Sequence, residues 1–200
     1  MMATKIKLCG LRSLEDARLA NEVKPDFAGV VLCRRFWRGI DFELASAIRR
    51  TLSSNIPLVG VFVNDEFSTV HAALRRGVVD MVQLEGTESE TYIRDLMLFT
   101  GKEVIKGCNV TGPDVPAKVE HTAANYLLFS SENDKPFEWD WVAQVQRPFI
   151  LSGGLTVENL PQALRRLHPW GVDLSAGVET DCVKDPEKVR AAVELVRTMG

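Results

Sequence analysis

The residues with the most chemical potential sit at the ends of short apolar runs. Near the N-terminus Lys7 and Cys9 are one residue apart and are followed by Gly10. On an extended strand they share a face about 7 Å apart. An ammonium so close to a thiol favours the thiolate, the form that removes protons or attacks carbon. Near the C-terminus, Phe149-Ile-Leu-Ser-Gly-Gly-Leu155 and Gly171-Val-Asp-Leu-Ser-Ala-Gly-Val178 both stop in serine plus small residues. Small residues let backbone N–H groups approach a phosphate, which marks Gly153, Gly154, Ala176 and Gly177 as a candidate anion cradle. Asp173 shares a strand face with Ser175, and Gln83 with Glu85. Taken alone, Cys9 reads as a small buried apolar residue. Its place on the same rim as two anion-binding ends reverses that reading.

These ends need a scaffold that presents them together. Apolar or β-branched runs at 4–9, 27–33, 57–63, 80–84, 103–108, 126–130, 149–152 and 172–175 predict eight strands. Helical periodicity lies between them, clearest at Leu160, Ala163, Leu164 and Leu167 and at Val189, Ala192, Val193 and Val196. Ser13 with Asp16 predicts a capping box, Thr156 a cap after the glycine pair, and Asp185-Pro186 a cap followed by a first-turn proline. Eight strand–helix units in 200 residues leave about 25 per unit, which fits one (β/α)₈ barrel domain spanning 1–200. An open doubly wound sheet would bind its nucleotide through a glycine-rich first turn, and here only Cys9-Gly10 stands at that place.

Composition narrows the function. The formal net charge is −3 and the 24 basic residues are scattered, so neither nucleic acid nor a membrane surface is expected as a partner. No apolar stretch reaches the length of a membrane helix, and no signal core follows Met1, which predicts a cytoplasmic protein. Four cysteines, Cys9, Cys33, Cys108 and Cys182, lack ligand or disulfide spacing, so no metal is expected. His71, His121 and His168 share no spacing and read as surface or helix-end residues. Trp139 and Trp141 read as packing residues.

Lys7-Leu-Cys-Gly-Leu11, Val82-Gln-Leu-Glu-Gly86, Leu151-Ser-Gly-Gly-Leu155 and Val172-Asp-Leu-Ser-Ala-Gly-Val-Glu179, in that order, resemble the phosphoribosylanthranilate isomerase family of tryptophan biosynthesis. The resemblance implies a (β/α)₈ barrel without a cofactor, acting on a phosphorylated sugar–anthranilate conjugate as a monomer or homodimer. The implied reaction is an Amadori rearrangement of an aminoaldose to an aminoketose. It also implies Cys9 as the base, Arg38 on the anthranilate carboxylate, and the phosphate on Gly153, Gly154, Ala176 and Gly177. Lys7, Gln83, Glu85 and Asp173 fall at substrate-contacting positions. A planar guanidinium suits a carboxylate because it grips both oxygens.

Three positions depart from the family pattern. Phe129 stands where the family has the aspartate that serves as general acid, and turned inward it would occupy the ribose space. The sixth loop, Ser131-Glu-Asn-Asp-Lys-Pro136, lacks the family's glycines, and Glu85 replaces a histidine. Glu85, Asp134 and Asp173 are the alternative acids, with Glu132 and Asp134 read as solvent-facing and Asp173 also as an anchor of the barrel. The departures admit two other functions on the same fold: a non-catalytic or regulatory barrel that binds a phosphorylated sugar, and an isomerase of another aminosugar phosphate.

Overall fold

The computed structural model describes residues 3–33, 35–131 and 137–200. Eight parallel strands close in sequence order into a barrel: β1 (Lys5–Leu8), β2 (Phe27–Val31), β3 (Leu58–Phe62), β4 (Met81–Leu84), β5 (Val104–Asn109), β6 (Tyr126–Ser130), β7 (Phe149–Leu151) and β8 (Gly171–Leu174). Closure rests on the β1–β8 ladder, where Lys7 pairs with Asp173 and Leu8 with Leu174. All eight predicted strands are present, each with both ends within two residues of those predicted.

Helices α1 (Leu14–Val23), α2 (Phe42–Thr51), α3 (Phe67–Arg75), α4 (Glu90–Thr100), α5 (Val115–Val119), α6 (Leu160–Leu167) and α7 (Pro186–Met199) surround the strands. Ser13 and Asp16 form a reciprocal capping box on α1, and the Asp185 carboxylate accepts from Glu187 and Lys188 N–H at the start of α7. Thr156 caps nothing. The helix starts four residues later, and the Asn159 amide oxygen accepts from the Thr156 N–H instead. Between β6 and β7 the described residues form a 3₁₀ turn, Trp139–Trp141, with Trp139 buried in the core. After β8 a second 3₁₀ turn, Ala176–Val178, leads into a small hairpin of β9 (Glu179–Thr180) and β10 (Val183–Lys184). Its two turn residues, Asp181 and Cys182, have positive φ, as a tight two-residue hairpin requires. No helix among the described residues is long and apolar enough to cross a membrane.

Strand alternation divides the core in two. Ile6, Leu8, Val30, Leu84, Leu127, Phe149, Val172 and Leu174 point outward and pack under the helices. Val59, Met81, Ile105, Leu128 and Ile150 point inward and plug the barrel, with Phe27, Tyr126 and Trp170 packed against the plug. Phe129 belongs to the outer set. It is fully buried, with its ring edge-on to Phe149 at 5.6 Å between centroids. The expectation that Phe129 invades the ribose space is therefore corrected. Leu128 and Ser130 are the residues of β6 that face the interior cavity.

Candidate active site

Above the apolar plug the barrel opens at its C-terminal end into a cavity of about 340 Å³. Its walls include Cys9, Arg38, Gln83, Glu85, Asn109, Ser130, Ser152, Asp173 and Ser175, which come from six different strand ends and the loop after β2. In barrels of this kind that end carries chemistry, while the opposite end serves stability.

On the β1/β8 side every charge has a partner. The Lys7 ammonium, 1 % exposed, donates to both oxygens of Asp173 at 3.0 and 3.1 Å, and the Ser152 hydroxyl reaches the same carboxylate at 3.4 Å. Burial works against the Lys7 charge. Asp173 and the Cys9 sulfur more than offset it, and the ammonium is held above its ordinary pKa. Burial likewise pushes the Cys9 thiol up, with Asp173 adding to the rise and Lys7 and Lys184 opposing it without prevailing. Lys7 thus favours the thiolate, as its spacing from Cys9 led us to expect, but burial outweighs it and the net shift is toward the thiol. Both side chains lie over Gly29 of β2, where a Cβ would stand 2.8 Å from Cys9 Sγ and 3.2 Å from Lys7 Nζ.

Arg38 reaches the cavity from the loop after β2. Its Nε and Nη2 donate to Glu179 at 3.3 and 2.9 Å, and Glu179 also accepts from Lys184 at 2.7 Å. Burial tends to raise the Glu179 pKa, but the hydrogen bonds from Arg38 and Lys184 hold it below the ordinary value. The Trp37 ring lies between Arg38 and Arg12, with guanidinium carbons 4.0 and 4.7 Å from its centroid. Arg38 is thus fixed in place at the cavity wall.

The opposite wall is built differently. Gln83 Nε2 donates to Glu85 Oε1 at 2.5 Å, while Gln83 Oε1 and Asn109 Oδ1 are buried with no hydrogen-bond partner among the described residues. The Glu85 carboxylate lies over Gly107 of β5, so close that a Cβ there would fall 2.1 Å from Oε1. Burial raises the Glu85 pKa; Gln83, Lys7 and Lys106 oppose the rise and Asp173 adds to it. Asp134, another acid candidate, and Glu132 lie outside the described residues.

The residues expected to hold the phosphate, Gly153, Gly154, Ala176 and Gly177, follow Ser152 and Ser175, which line the cavity, but do not line it themselves. Gly153 and Gly154 have φ of +81° and +65°, which glycine adopts without strain. A Cβ on Gly153 would also collide with the backbone nitrogen and hydroxyl of Ser131, at 2.8 and 2.9 Å. Gly177 packs against Leu155, whose carbonyl oxygen would be 1.8 Å from an added Cβ, so this glycine joins the two loops. Sequence reasoning missed Gly29, Gly107, Asn109, Lys184 and the Glu179 anchor. Asn109 ends a strand on its inward face, and that alternation was the available signal. The glycines had none, since their role depends on side chains of neighbouring strands.

Residues 6–195 match the family model for N-(5'phosphoribosyl)anthranilate (PRA) isomerase. The N-(5'-phosphoribosyl)anthranilate isomerase of Endomicrobium trichonymphae is 38 % identical over 202 residues, covering 98 % of this chain and 99 % of that protein. The crystal structure of phosphoribosyl anthranilate isomerase from Thermus thermophilus superposes with a TM-score of 0.90 at 30 % identity, covering 98 % of this chain and all of the other. A further crystal structure of this isomerase, in complex with reduced 1-(o-carboxyphenylamino)-1-deoxyribulose 5-phosphate, superposes with a TM-score of 0.88 at 28 % identity, covering 98 % and 99 % of the two chains. With a closed barrel, a thiol and paired charges at its C-terminal mouth, and similarity running the length of the chain, the protein belongs to the phosphoribosylanthranilate isomerase family.

Proposed function

We propose that this chain converts N-(5-phosphoribosyl)anthranilate to 1-(2-carboxyphenylamino)-1-deoxyribulose 5-phosphate in tryptophan biosynthesis, in the cytoplasm and without a cofactor. The observation that carries the reading is the full-length family match combined with Cys9 at the mouth of the barrel, in contact with the Lys7–Asp173 pair. In the proposed reaction the furanose oxygen is protonated and its bond to C1 breaks as the nitrogen lone pair forms C1=N. Cys9, having released its thiol proton to solvent, then takes the C2 proton as the thiolate. The C–H electron pair becomes C1=C2 and the iminium pair returns to nitrogen, giving an enolamine that tautomerises to the ketone.

Lys7 positions and stabilises the thiolate once it forms, and Asp173 holds Lys7. Arg38, anchored by Glu179, receives the anthranilate carboxylate. The Trp37 ring, against which Arg38 packs, lines the cavity beside it. Gly153, Gly154, Ala176 and Gly177 bind the phosphate through backbone N–H groups. Gln83 Oε1 and Asn109 Oδ1, buried acceptors on the facing wall, meet sugar hydroxyls. Free thiols throughout are in keeping with a reducing compartment.

The test is rescue of a tryptophan-requiring strain that lacks this isomerase. The natural chain is expected to restore growth and Cys9→Ala to fail. Failure of a well-expressed natural chain would exclude the reaction. If it still bound the reduced product analogue in calorimetry, it would be a non-catalytic binder.

A further inference from the structure

Ring opening needs a proton donor in the cavity, and β6 provides no carboxylate there: Phe129 faces the helices, while Leu128 and Ser130 face inward. Among the described residues two carboxylates line the cavity, Asp173 and Glu85. Both oxygens of Asp173 are engaged by the Lys7 ammonium, and one also by the Ser152 hydroxyl, so the carboxylate is already committed as an acceptor. Glu85 differs in each respect. One oxygen accepts the Gln83 N–H, and the other accepts no side-chain or backbone hydrogen bond among the described residues. The carboxyl fills the space that Gly107 leaves open, which holds it in the cavity wall rather than in solvent.

From this arrangement we propose that Glu85 is the general acid of this chain, delivering its proton to the furanose ring oxygen across the cavity from Cys9. The inference rests on the isomerase reading above. With strands in the order β1 to β8 around the barrel, β4 stands three strands from β1, so Glu85 and Cys9 approach a bound sugar from facing walls. The two reacting positions, the ring oxygen and C2, flank C1 on either side, so one group addresses each. After transfer Glu85 is left as a carboxylate, and its proton is restored from solvent while the C2 proton leaves through the thiol. The isomerisation is therefore proton-neutral overall. Burial, which raises the Glu85 pKa against the pull of Gln83, Lys7 and Lys106, keeps the proton on the carboxyl at higher pH than in an exposed glutamate. The Gln83 amide fixes the carboxyl orientation as a positioning residue.

The experiment compares the natural chain with Glu85→Gln and, as a second neutral replacement, Glu85→Met, using purified protein. Three readouts are taken: turnover of the aminoaldose, affinity for the reduced product analogue, and the isotope effect on kcat/KM with substrate deuterated at C2. Expected for both variants is a loss of about 10²–10⁴-fold in turnover, with analogue affinity within about threefold. The isotope effect should fall toward unity, because ring opening, which precedes C2–H cleavage, becomes limiting. A purely structural role would not move it in that direction. Variants within about fivefold of the natural chain would overturn the assignment and leave the isomerase reading intact, as would lost turnover matched by lost analogue affinity with an unchanged isotope effect. A natural chain without turnover would remove both.

Discussion

The two walls of the cavity follow opposite electrostatic rules. On the β1/β8 side, Lys7 is matched by Asp173, and Arg38 and Lys184 by Glu179. On the β4/β5 side, among the described residues, Gln83 Oε1 and Asn109 Oδ1 are buried without partners, and Glu85 has one accepted hydrogen bond. Paired charges in a low-dielectric interior lock their own geometry. Unpaired acceptors carry a desolvation cost that a ligand with hydroxyl groups relieves. One wall is thus preorganised by the protein, and the other is completed by what binds.

If that division holds, the largest effect belongs to the paired wall. Lys7→Met strands Asp173 as a buried charge and should cost about 3–5 kcal/mol of stability in a denaturant titration. A Lys7→Met/Asp173→Leu double variant should recover most of that stability while remaining inactive. Similar stability of Lys7→Met and the natural chain would show that the pair is not a structural lock. On the facing wall the balance should reverse. Asn109→Leu removes a partnerless acceptor, so its melting temperature should stay level or rise, while affinity for the reduced product analogue falls about tenfold, or ~1.4 kcal/mol. A clear loss of stability there would mean that the amide is satisfied in the free protein.

The smallest effect sharpens the Glu85 assignment. Its folded pKa lies above the unfolded value, so its contribution to stability is fully present below the unfolded carboxylate pKa of about 4.3 and is lost as pH rises through the folded value. Glu85→Gln carries no such dependence. The two proteins should melt together near pH 4 and diverge above it, the glutamine variant higher by about 2–4 °C for each kcal/mol. Parallel curves across that range would mean the carboxyl is not displaced toward its acid form.

The contrast also explains what could be read from the residues alone. The barrel was legible because buried parallel strands are continuous apolar runs, and the eight runs lie where the eight strands form. On the paired wall, Lys7, Cys9 and Asp173 could be assigned to the interior face because alternation within a short strand leaves little freedom. The direction of the Cys9 pKa shift could not, since it depends first on burial inside the closed barrel and then on Asp173, 164 positions along the chain but brought near by the β1–β8 closure. Phe129 shows the same limit. A resemblance supplied a position, but whether that position faces the cavity or the helices is set by pairing with β5 and β7, and a shift of one residue exchanges the two. Arg38 could be named but not its anchor, because Glu179 reaches it only through the turn after β8.

The most direct test is turnover of the aminoaldose by the purified natural chain and by Cys9→Ala, with binding of the reduced product analogue measured on both. A thiol acting as base at the mouth of this barrel predicts turnover by the natural chain, a loss of about 10³-fold or more on removing the sulfur, and little change in analogue affinity. Equal turnover by the two proteins, or none by either, would contradict it.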